Sequence, residues 1–566
     1  MCRGFGVRFA RPAVLAGLAV LLIPASASAG TLTVDTTDET SATECTLPEA
    51  ISAANFDSVS PTCGPASGGD VINITATGTI DLTAGLLINS NIDINGPGSG
   101  QLDIHRADTA GPFRVITVSS GKTASIADVS VSNGRSETIG QPGSGIANFG
   151  TLDLDHVVVR DNVVVNEGDQ PNQGPAPTGG GITNLSGVMT ITDSTITGNT
   201  VSASHTATSG AGIADASGGG IFNITGTVTI LRSTISDNTA SAEVASNDAS
   251  SSAFAAGGGI GNGYSGTLTI RASTVSGNTA TASAPAPAFA TTRGGGIFDR
   301  DGGSTLTAVG DTIANNSAEL SASVSAQGTE TITDTILAND DSAPNCDAGD
   351  IETDGGFNIS FPTPCAGLNA ALVDPQLQPL DDYGGPTETM ALGVTSPALD
   401  AGISGGISLD QRSISRPYDI GPIPNAPGSD GSDIGALEAL DPDGDGIPSE
   451  VDQCGGASGG GNPTGCPDEP RELSLRYSRH AKRFKGKLTA ATVSVCASER
   501  TVTVFRKRAG ADKVIGQATT SLSGGYSLDR RAKPGKYYSA VEEEVVADVA
   551  DCLAERSPTV RVKRRR

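Results

Sequence analysis

A glycine-led phrase recurs along this chain at nearly constant steps. The leading glycines lie 36, 39, 39 and 37 residues apart, at Gly145, Gly181, Gly220, Gly259 and Gly296. Each precedes a run of alternating β-branched residues. A nearly fixed period with this alternation is typical of stacked coils of strand, because each coil buries its apolar side chains against its neighbours. The spacing therefore predicts a parallel β-solenoid within an all-β fold.

Each repeat also holds a Ser/Ala/Thr-rich insertion that differs between copies, at 201–217, 240–256 and 280–293. Insertions at one point of the coil must leave from the same corner, so we expect them to line up as a lateral fringe of loops.

Asparagine recurs at two fixed positions of the coil. The two rows comprise Asn199, Asn238, Asn278 and Asn316, and Asn184, Asn223 and Asn262. We interpret both rows as amides that stack inside the solenoid and satisfy one another. The alternative is a row that binds carbohydrate.

The first 29 residues have the composition of a secretory signal peptide. Arg3, Arg8 and Arg11 precede an apolar stretch at 13–23, and Ala27 and Ala29 form an A-x-A cleavage site. No later stretch is apolar enough to cross a bilayer. We expect an exported protein without a transmembrane segment, secreted or held on the cell surface by non-covalent contacts.

The cysteines agree with export. Without Cys2, eight remain, and they fall into four neighbouring couples. Many connectivities are possible from counting alone, and we predict that neighbours pair. The predicted disulfides are Cys45–Cys63, Cys346–Cys365, Cys454–Cys466 and Cys496–Cys552.

An alternating strand at 31–34 and a short amphipathic helix near 45–55 open the mature chain, with Leu47, Ile51 and Ala54 on one helix face. The stretch that begins at Cys45 resembles the CSLREA-type N-terminal segment of secreted bacterial right-handed parallel β-helix proteins, with Thr46 in place of serine and Pro48 in place of arginine. The resemblance implies that residues 30–68 cap a right-handed parallel β-helix at 69–365.

Residues 366–440 change pattern and include Leu399-Asp400-Ala401-Gly402 and the stretch from Asp433 to Glu438. This region resembles the choice-of-anchor Q segment that follows such β-helices in bacterial surface proteins. The resemblance implies that it closes the solenoid. We interpret its charged residues as a structural ion network formed by Arg412, Arg416, Asp433 and Glu438.

Residues 441–470 contain the strongest chemical motif of the chain. Ca²⁺ takes six to eight oxygen ligands, which a loop of about 12 residues supplies at alternating positions. The predicted ligands are Asp441, Asp443, Asp445, the carbonyl of Ile447, Ser449 (directly or through water) and Asp452. With Cys454 after it, the stretch resembles a thrombospondin type 3 repeat. We expect a structural Ca²⁺ site; the alternative is an acidic linker.

Residues 471–566 are predicted to form a separate small antiparallel β-sandwich, because short strands alternate with glycine and proline turns. This module carries 22 Lys/Arg against 10 Asp/Glu, whereas residues 30–470 carry 11 Lys/Arg against 52 Asp/Glu. Its basic surface suggests contact with anionic polymers. No nucleic-acid-binding module is recognised.

We expect a secreted or cell-surface, non-enzymatic protein of adhesion type that binds glycans or cell-wall polymers as a monomer. The alternative is a polysaccharide lyase or glycoside hydrolase built on the β-helix. Hydrolysis requires two carboxylates across the glycosidic bond. The adjacent pairs Asp340 and Asp341, and Asp381 and Asp382, lie in predicted loops without a partnering His or Arg motif. We therefore assign no catalytic residue.

Overall fold

The structure, a computed structural model, describes residues 30–137, 143–168, 178–206, 211–246, 248–339, 343–347, 351–454, 464–547 and 549–564. The predicted signal peptide at 1–29 and the acidic pair at 340–341 lie outside these residues. Three parallel sheets form the walls of a solenoid, and successive strands of each wall come from successive coils. The predicted all-β fold, a parallel β-helix followed by antiparallel strands, is confirmed.

The walls contain 11, 10 and 8 strands in the described residues, and each coil passes through them in the order wall 1, wall 2, wall 3. Wall 1 consists of Thr31–Val34, Asp70–Ile74, Ile92–Asn95, Thr123–Ala127, Thr151–Asp155, Val188–Thr192, Thr227–Leu231, Thr267–Arg271, Thr305–Val309, Thr329–Thr333 and Thr353–Gly356. Wall 2 consists of Gly78–Leu82, Leu102–Arg106, Ser130–Ser132, Val158–Arg160, Thr195–Thr197, Thr234–Ser236, Thr274–Ser276, Thr312–Ala314, Ile336–Ala338 and Ile359–Phe361. Wall 3 consists of Leu86–Ile88, Ile116–Val118, Ile146–Asn148, Ile182–Leu185, Ile221–Ile224, Ile260–Gly263, Ile297–Asp299 and Val324–Ala326.

Equivalent apolar residues of successive coils stack inside the solenoid. In wall 3, Ile182 pairs in register with Ile221, Ile221 with Ile260, and Ile260 with Ile297, and all four are fully buried. Burying one such side chain stabilises the fold by about 1.5–3 kcal/mol relative to leaving it exposed. Because the repeat places the same side chain at the same register, one continuous core extends along the solenoid.

Both asparagine rows are buried ladders. Asn184 Nδ2 donates to Asn223 Oδ1 at 2.9 Å in one row, and Asn199 Nδ2 donates to Asn238 Oδ1 at 2.9 Å in the other. All the predicted members are at most 2% exposed. The structural interpretation is confirmed, and the alternative of a carbohydrate-binding row is wrong because these amides face the interior.

A helix covers the first coil of the solenoid. It spans Leu47–Asn55, and Thr46 and Glu49 form a capping box at its N-terminus. Its predicted apolar face is confirmed, since Leu47, Ile51 and Ala54 are buried in the main core. A short antiparallel pair, Val59–Ser60 with Gly64–Pro65, follows the helix.

The insertions form two parallel sheets rather than loops; we call these two sheets the fin. The first fin sheet consists of Arg135–Ser136, Val163–Gly168, Thr200–His205, Thr239–Val244 and Thr279–Ser283, and the second of Ile213–Ser217, Ser252–Ala256 and Phe289–Arg293. The expectation that the insertions form a fringe of loops is therefore wrong. Alanine and valine alternate with polar residues, which is a strand period, and their small side chains form a core of the fin's own. Alanine's weak strand preference made this alternation a weak signal for strands in the sequence.

Residues 366–440 pack against the outer surface of wall 2. Gln411 Nε2 donates to Thr234 Oγ1 at 2.9 Å, and its Oε1 accepts from Thr274 Oγ1 at 2.6 Å. The amide of Ala436 donates to Thr312 Oγ1 at 3.1 Å. This segment contains the antiparallel pair Leu377–Asp381 and Thr389–Leu392.

The expectation that residues 366–440 close the end of the solenoid needs correction. Ala371 does pair with Ile359 in the last strand of wall 2. The contacts of Gln411 and Ala436 instead reach wall 2 strands from three successive coils. The segment therefore also covers the side of the solenoid, because the outward threonines of these coils supply hydrogen-bonding partners there.

The predicted ion network within this segment is confirmed for Arg416 and Glu438 and extends into the solenoid, whereas the ion-pair partners of Arg412 are Asp410 and Glu450. Arg416 forms ion pairs with Asp334 and, at 3.0 Å, with Glu438, and all three side chains are fully buried. Asp433 accepts a hydrogen bond from the amide of Asp400 at 2.7 Å. Because Asp334 follows a wall 1 strand, Arg416 ties the segment to the solenoid.

Antiparallel strands make up most of the module at 471–566. Its strands are Arg471–Leu473, Arg476–Ser478, Arg483–Ala490, Thr501–Arg506, Lys513–Thr519, Gly525–Leu528, Gly535–Val541, Glu544–Val546, Ala550–Cys552, Glu555–Arg556 and Val560–Val562, with Asp468–Glu469 ahead of them and a 3₁₀ turn at Ser494–Cys496. Phe484 and Tyr537 fill its core. All four predicted disulfides are present.

Candidate metal site and binding surfaces

Three aspartates of the predicted calcium loop come together. Ligand oxygens of Asp441, Asp443 and Asp445 all lie within 4.8 Å of one another. Asp441 shapes the turn, because its Oδ1 accepts from the amide of Gly444 at 2.8 Å and its Oδ2 from the amide of Gly446 at 2.8 Å. Both glycines have positive φ, 75° and 86°, a conformation that favours glycine. The local sequence thus brings the first three predicted ligands into one cluster.

The Asp443 carboxylate lies where a bound cation would offset both its desolvation and the repulsion from neighbouring acidic groups. Both of its oxygens are shielded from solvent, and the hydrogen-bonding contribution of the Asp445 amide only partly offsets the loss of hydration. Desolvation, followed by the charge of Asp445, raises the pKa of Asp443. Hard oxygen ligands with excess negative charge suit Ca²⁺, so the residues present fit the predicted ion.

The other three predicted ligands are placed less directly. The amide of Ile447 donates to Asp445 Oδ1 at 2.8 Å, and the amide of Ser449 donates to the Leu440 carbonyl at 2.6 Å. The charge of Asp452 contributes to the raised pKa of Asp443, although Asp452 is not part of the three-aspartate cluster. Ligation by these three residues stays a prediction.

The loop is anchored to the segment at 366–440 through Arg412, a predicted network residue, and through Glu450 and Tyr418, which the sequence did not single out. Arg412 Nη1 donates to Glu450 Oε1 at 2.5 Å, and both side chains are at most 5% exposed. The Tyr418 hydroxyl donates to the Asp441 carbonyl at 3.4 Å. Glu450 carries no motif of its own, so its role depends on the tertiary arrangement.

A second acidic group has a different balance of charge. Asp155, His156 and Asp193 also place ligand atoms within 4.8 Å of one another. Arg232 Nη2 lies 2.7 Å from Asp193 Oδ2, and His156 lies 2.9 Å from Asp155. The guanidinium of Arg232 already neutralises the Asp193 carboxylate, so this group is a weaker candidate for a metal.

The outer surface of wall 1 carries two rows of threonine. Across five successive strands, nine of the ten positions in these rows are threonine, and Val188 is the tenth. We call them the threonine face: Thr190, Thr227, Thr229, Thr267, Thr269, Thr305, Thr307, Thr329 and Thr331. These residues are exposed or half-buried. Neighbouring strands place the hydroxyls about 4.8 Å apart across the sheet.

The acidic residues of the solenoid that have the most perturbed pKa values are inside it. Burial raises the pKa of Glu330 to about 7 and that of Asp311 to about 8. Both residues are at most 1% exposed, as is Asp299 beside Glu330. Their position keeps them from reaching a polymer on the surface.

No model of a known protein family matches the chain, and no match was found among curated proteins or among solved structures. The likenesses to CSLREA-type, choice-of-anchor Q and thrombospondin type 3 segments therefore remain predictions. Within the described residues, no helix has both the length and the apolar character needed to cross a bilayer.

Proposed function

We propose that this chain is an exported, non-enzymatic β-helix protein of adhesion type, and that its threonine face binds glycans or cell-wall polymers. Regular, uncharged hydroxyls on that face are the observation that carries the proposal. Ca²⁺ in the loop at 441–452 would be a structural ion. The basic module at 471–566 would add contacts with anionic polymers.

The threonine face suits an extended polymer with many hydroxyl groups. Threonine is β-branched and stiff at χ1, so its hydroxyl is already restricted in orientation before binding. A single neutral hydrogen bond contributes only about 0.5–1.5 kcal/mol. Many such bonds along one polymer would sum to useful affinity, because contacts after the first form at high effective concentration.

Binding fits this face better than cleavage does. The outward rows of the five strands contain no aspartate or glutamate, and Arg271 is their charged member. Glycoside hydrolysis requires a pair of carboxylates across the bond. The buried Asp299 and Glu330 belong to the interior, so the lyase or hydrolase alternative has no support on this face.

The test compares two matched triple variants for retention on insoluble chitin, cellulose and peptidoglycan. Thr229→Val, Thr269→Val and Thr307→Val remove three stacked hydroxyls from the threonine face. Thr200→Val, Thr239→Val and Thr279→Val remove three stacked, equally half-buried hydroxyls from the fin. We expect about tenfold weaker binding for the first variant, from three lost hydrogen bonds, and unchanged binding for the second.

Two results would overturn the proposal. Equal retention of both variants and the unaltered chain would remove the threonine face as the binding surface. Release of new reducing or unsaturated sugar ends from any of the three polymers would favour the enzyme alternative.

A further inference from the structure

The C-terminal module contains a groove of about 690 Å³ with a strongly basic lining. Three parts of the module meet there: the turn between Arg476–Ser478 and Arg483–Ala490, the segment after Gly525–Leu528, and the last strand, Val560–Val562. The groove is lined by Tyr477, Arg479, His480, Lys482, Arg531, Ala532, Pro534, Val562 and Lys563. No acidic residue is among these lining residues.

Among the residues that the structure describes, no acidic side chain pairs with the exposed cations of the groove. Arg479, Lys482, Arg531 and Lys563 are exposed, and none of them belongs to an ion pair among the described residues. The nearby acidic residue Asp529 is already paired with Arg483, at 2.8 Å. A concave surface lined by one sign of charge concentrates the field and attracts counter-ions of the opposite sign.

The floor of the groove is apolar and partly fixed. Val562 is buried in the core of the module, and the ring of Tyr477 packs against Phe484 with centroids 4.9 Å apart. The Tyr477 hydroxyl accepts from the amide of Ala532 at 3.0 Å, which holds the ring in place. An amphipathic aromatic ring beside proline offers an apolar surface on which the flat face of a sugar ring can pack.

We propose that this groove binds a linear acidic polysaccharide of the polyuronate class. Sugar rings lie on Tyr477 and Pro534, and uronate carboxylates pair with Arg479, Arg531 and Lys563 around the rim. Guanidinium groups bind carboxylates in a bidentate geometry, with two parallel N–H···O hydrogen bonds, which favours arginine at such positions. The inference rests on the proposed contact of the module with anionic polymers, and it names the site and the polymer class.

Two further observations favour this partner. The rest of the mature chain is strongly acidic, with 52 Asp/Glu against 11 Lys/Arg in 30–470, so a polyanion is repelled from the body and steered to the module. Non-specific binding of single-stranded nucleic acid uses several aromatic rings on which successive bases stack. The lining residues of this groove include one phenol ring, Tyr477, and one imidazole ring, His480, which is fewer than such a stacking row uses.

The experiment measures binding of the full-length chain to immobilised polygalacturonate at low and moderate salt. Arg479→Ser, Arg531→Ser and Lys563→Ser form the groove variant. Lys487→Ser, Arg508→Ser and Lys513→Ser form the control variant, which removes the same charge from exposed positions outside the groove. Far-UV circular dichroism and thermal unfolding confirm that both variants are folded. Dextran sulfate, neutral pullulan and single-stranded poly(U) complete the set of probes.

We expect the groove variant to bind polygalacturonate at least about tenfold more weakly and with a shallower salt dependence. The control variant should stay within about twofold of the unaltered chain, since none of its three charges lines the groove. Equal losses of affinity in both variants would mean that diffuse charge attraction binds the polymer. That result would overturn the groove as the binding site but not the module's contact with anionic polymers. No binding of either polyanion by the unaltered chain would overturn that contact as well. Tighter binding of poly(U) than of polygalacturonate would overturn the assigned polymer class.

Discussion

The carboxyl of Asp299 lies against that of Glu330 in the interior of the solenoid, and one oxygen of each has no hydrogen-bond donor. Asp299 ends one of the asparagine ladders, where it accepts from Asn262 Nδ2 at 2.8 Å. Glu330 stands in register with the core residue Leu306. Burial raises the pKa of both groups, to about 7 for Glu330, and their proximity adds to the rise for Glu330. The two acids therefore form a protonated pair at low pH.

Replacing Asp299 with asparagine should remove a pH-dependent weakness of the solenoid. The folded-state pKa values are raised, so the folded chain holds protons that the unfolded chain releases. The protonated pair therefore makes its full contribution to the free energy of unfolding below about pH 4. This contribution is lost as the pH rises through about 7. The introduced amide would match the other members of the ladder and donate a hydrogen bond to Glu330. We expect Asp299→Asn to raise the thermal midpoint at pH 8 and to have little effect at pH 4.

The comparison is made by thermal unfolding of both chains from pH 4 to pH 9. Other buried acids, such as Asp311, respond to pH equally in the two chains, so the difference between the chains isolates the Asp299 pair. A variant that is less stable than the unaltered chain at pH 8 would contradict the account in which ionisation of the buried pair weakens the solenoid.

Removing the charge of Arg416 should undock residues 366–440 from wall 2. Its guanidinium pairs with Asp334 and Glu438, and it donates to the Gly435 carbonyl at 2.7 Å. Removing one partner of a buried ion pair lowers the free energy of unfolding by about 3–5 kcal/mol, because the remaining buried charge is left uncompensated. We expect Arg416→Met to lower the unfolding midpoint and to expose the 366–440 segment to limited proteolysis.

Arg135→Met is the control for Arg416→Met. Arg135 pairs with Glu137 at 2.5 Å, but both side chains are about half exposed, at 40% and 47%. Surface pairs of this kind contribute about 0–1 kcal/mol. Similar small effects of the two substitutions would contradict the assignment of Arg416 as the tie between segment and solenoid.

Shortening Asn223 to Ala should weaken its coil and the two neighbouring coils. Asn223 Nδ2 donates to the Gly226 carbonyl at 2.9 Å and to Asn262 Oδ1 at 2.8 Å, and its Oδ1 accepts from Asn184. The substitution leaves several buried groups unsatisfied, at a cost on the order of 2–4 kcal/mol. Hydrogen exchange should then accelerate in the strands of these coils.

Asn369→Ala provides the control for the ladder, because Asn369 is an exposed residue outside the repeats. Its substitution should change the unfolding midpoint little. If Asn223→Ala left hydrogen exchange in its own coil unchanged, the ladder would not be a stabilising element.

The repeat was sufficient to predict the solenoid, because stacking at a fixed period leaves few alternatives for alternating β-branched residues. The asparagine ladders and the disulfides were also predictable, since each depends on residues that recur or lie close in sequence. The fin was missed because alanine and serine have weak strand preference, and sheet pairing between coils decides their conformation. The pattern of alternation in Thr200–His205 was nonetheless visible.

The surroundings of the candidate sites were less predictable. Asp334, Gln411 and Glu450 make their contacts across large separations in sequence: Arg416 reaches back 82 residues to Asp334, and Gln411 reaches 177 residues to Thr234. No local motif marks such partners. The three clustered aspartates of the calcium loop were predicted because neighbouring residues in a tight loop must come close together.

Calcium should stabilise the region around the loop through Asp443 and Asp445. An ion that binds only the folded chain adds about 2.7 kcal/mol to the free energy of unfolding when its free concentration is about a hundredfold above its Kd. We expect the unaltered chain to unfold at a higher temperature with Ca²⁺ than with chelator, and to resist proteolysis near 441–454. Asp443→Asn with Asp445→Asn should abolish both effects. The double variant in chelator should be at least as stable as the unaltered chain in chelator, because it lacks the repulsion that raises the pKa of Asp443.

The double variant thus separates metal binding from charge repulsion. Asp381→Asn with Asp382→Asn, an adjacent acidic pair outside the loop, should keep the full response to Ca²⁺. Calorimetric titration with Ca²⁺ at decreasing pH provides a further check. Affinity should fall as the Asp443 carboxyl becomes protonated, and the fall should begin at a higher pH than for an ordinary aspartate because its pKa is raised. Equal midpoints of the unaltered chain in Ca²⁺ and in chelator would mean that the loop is an acidic connection without a structural ion.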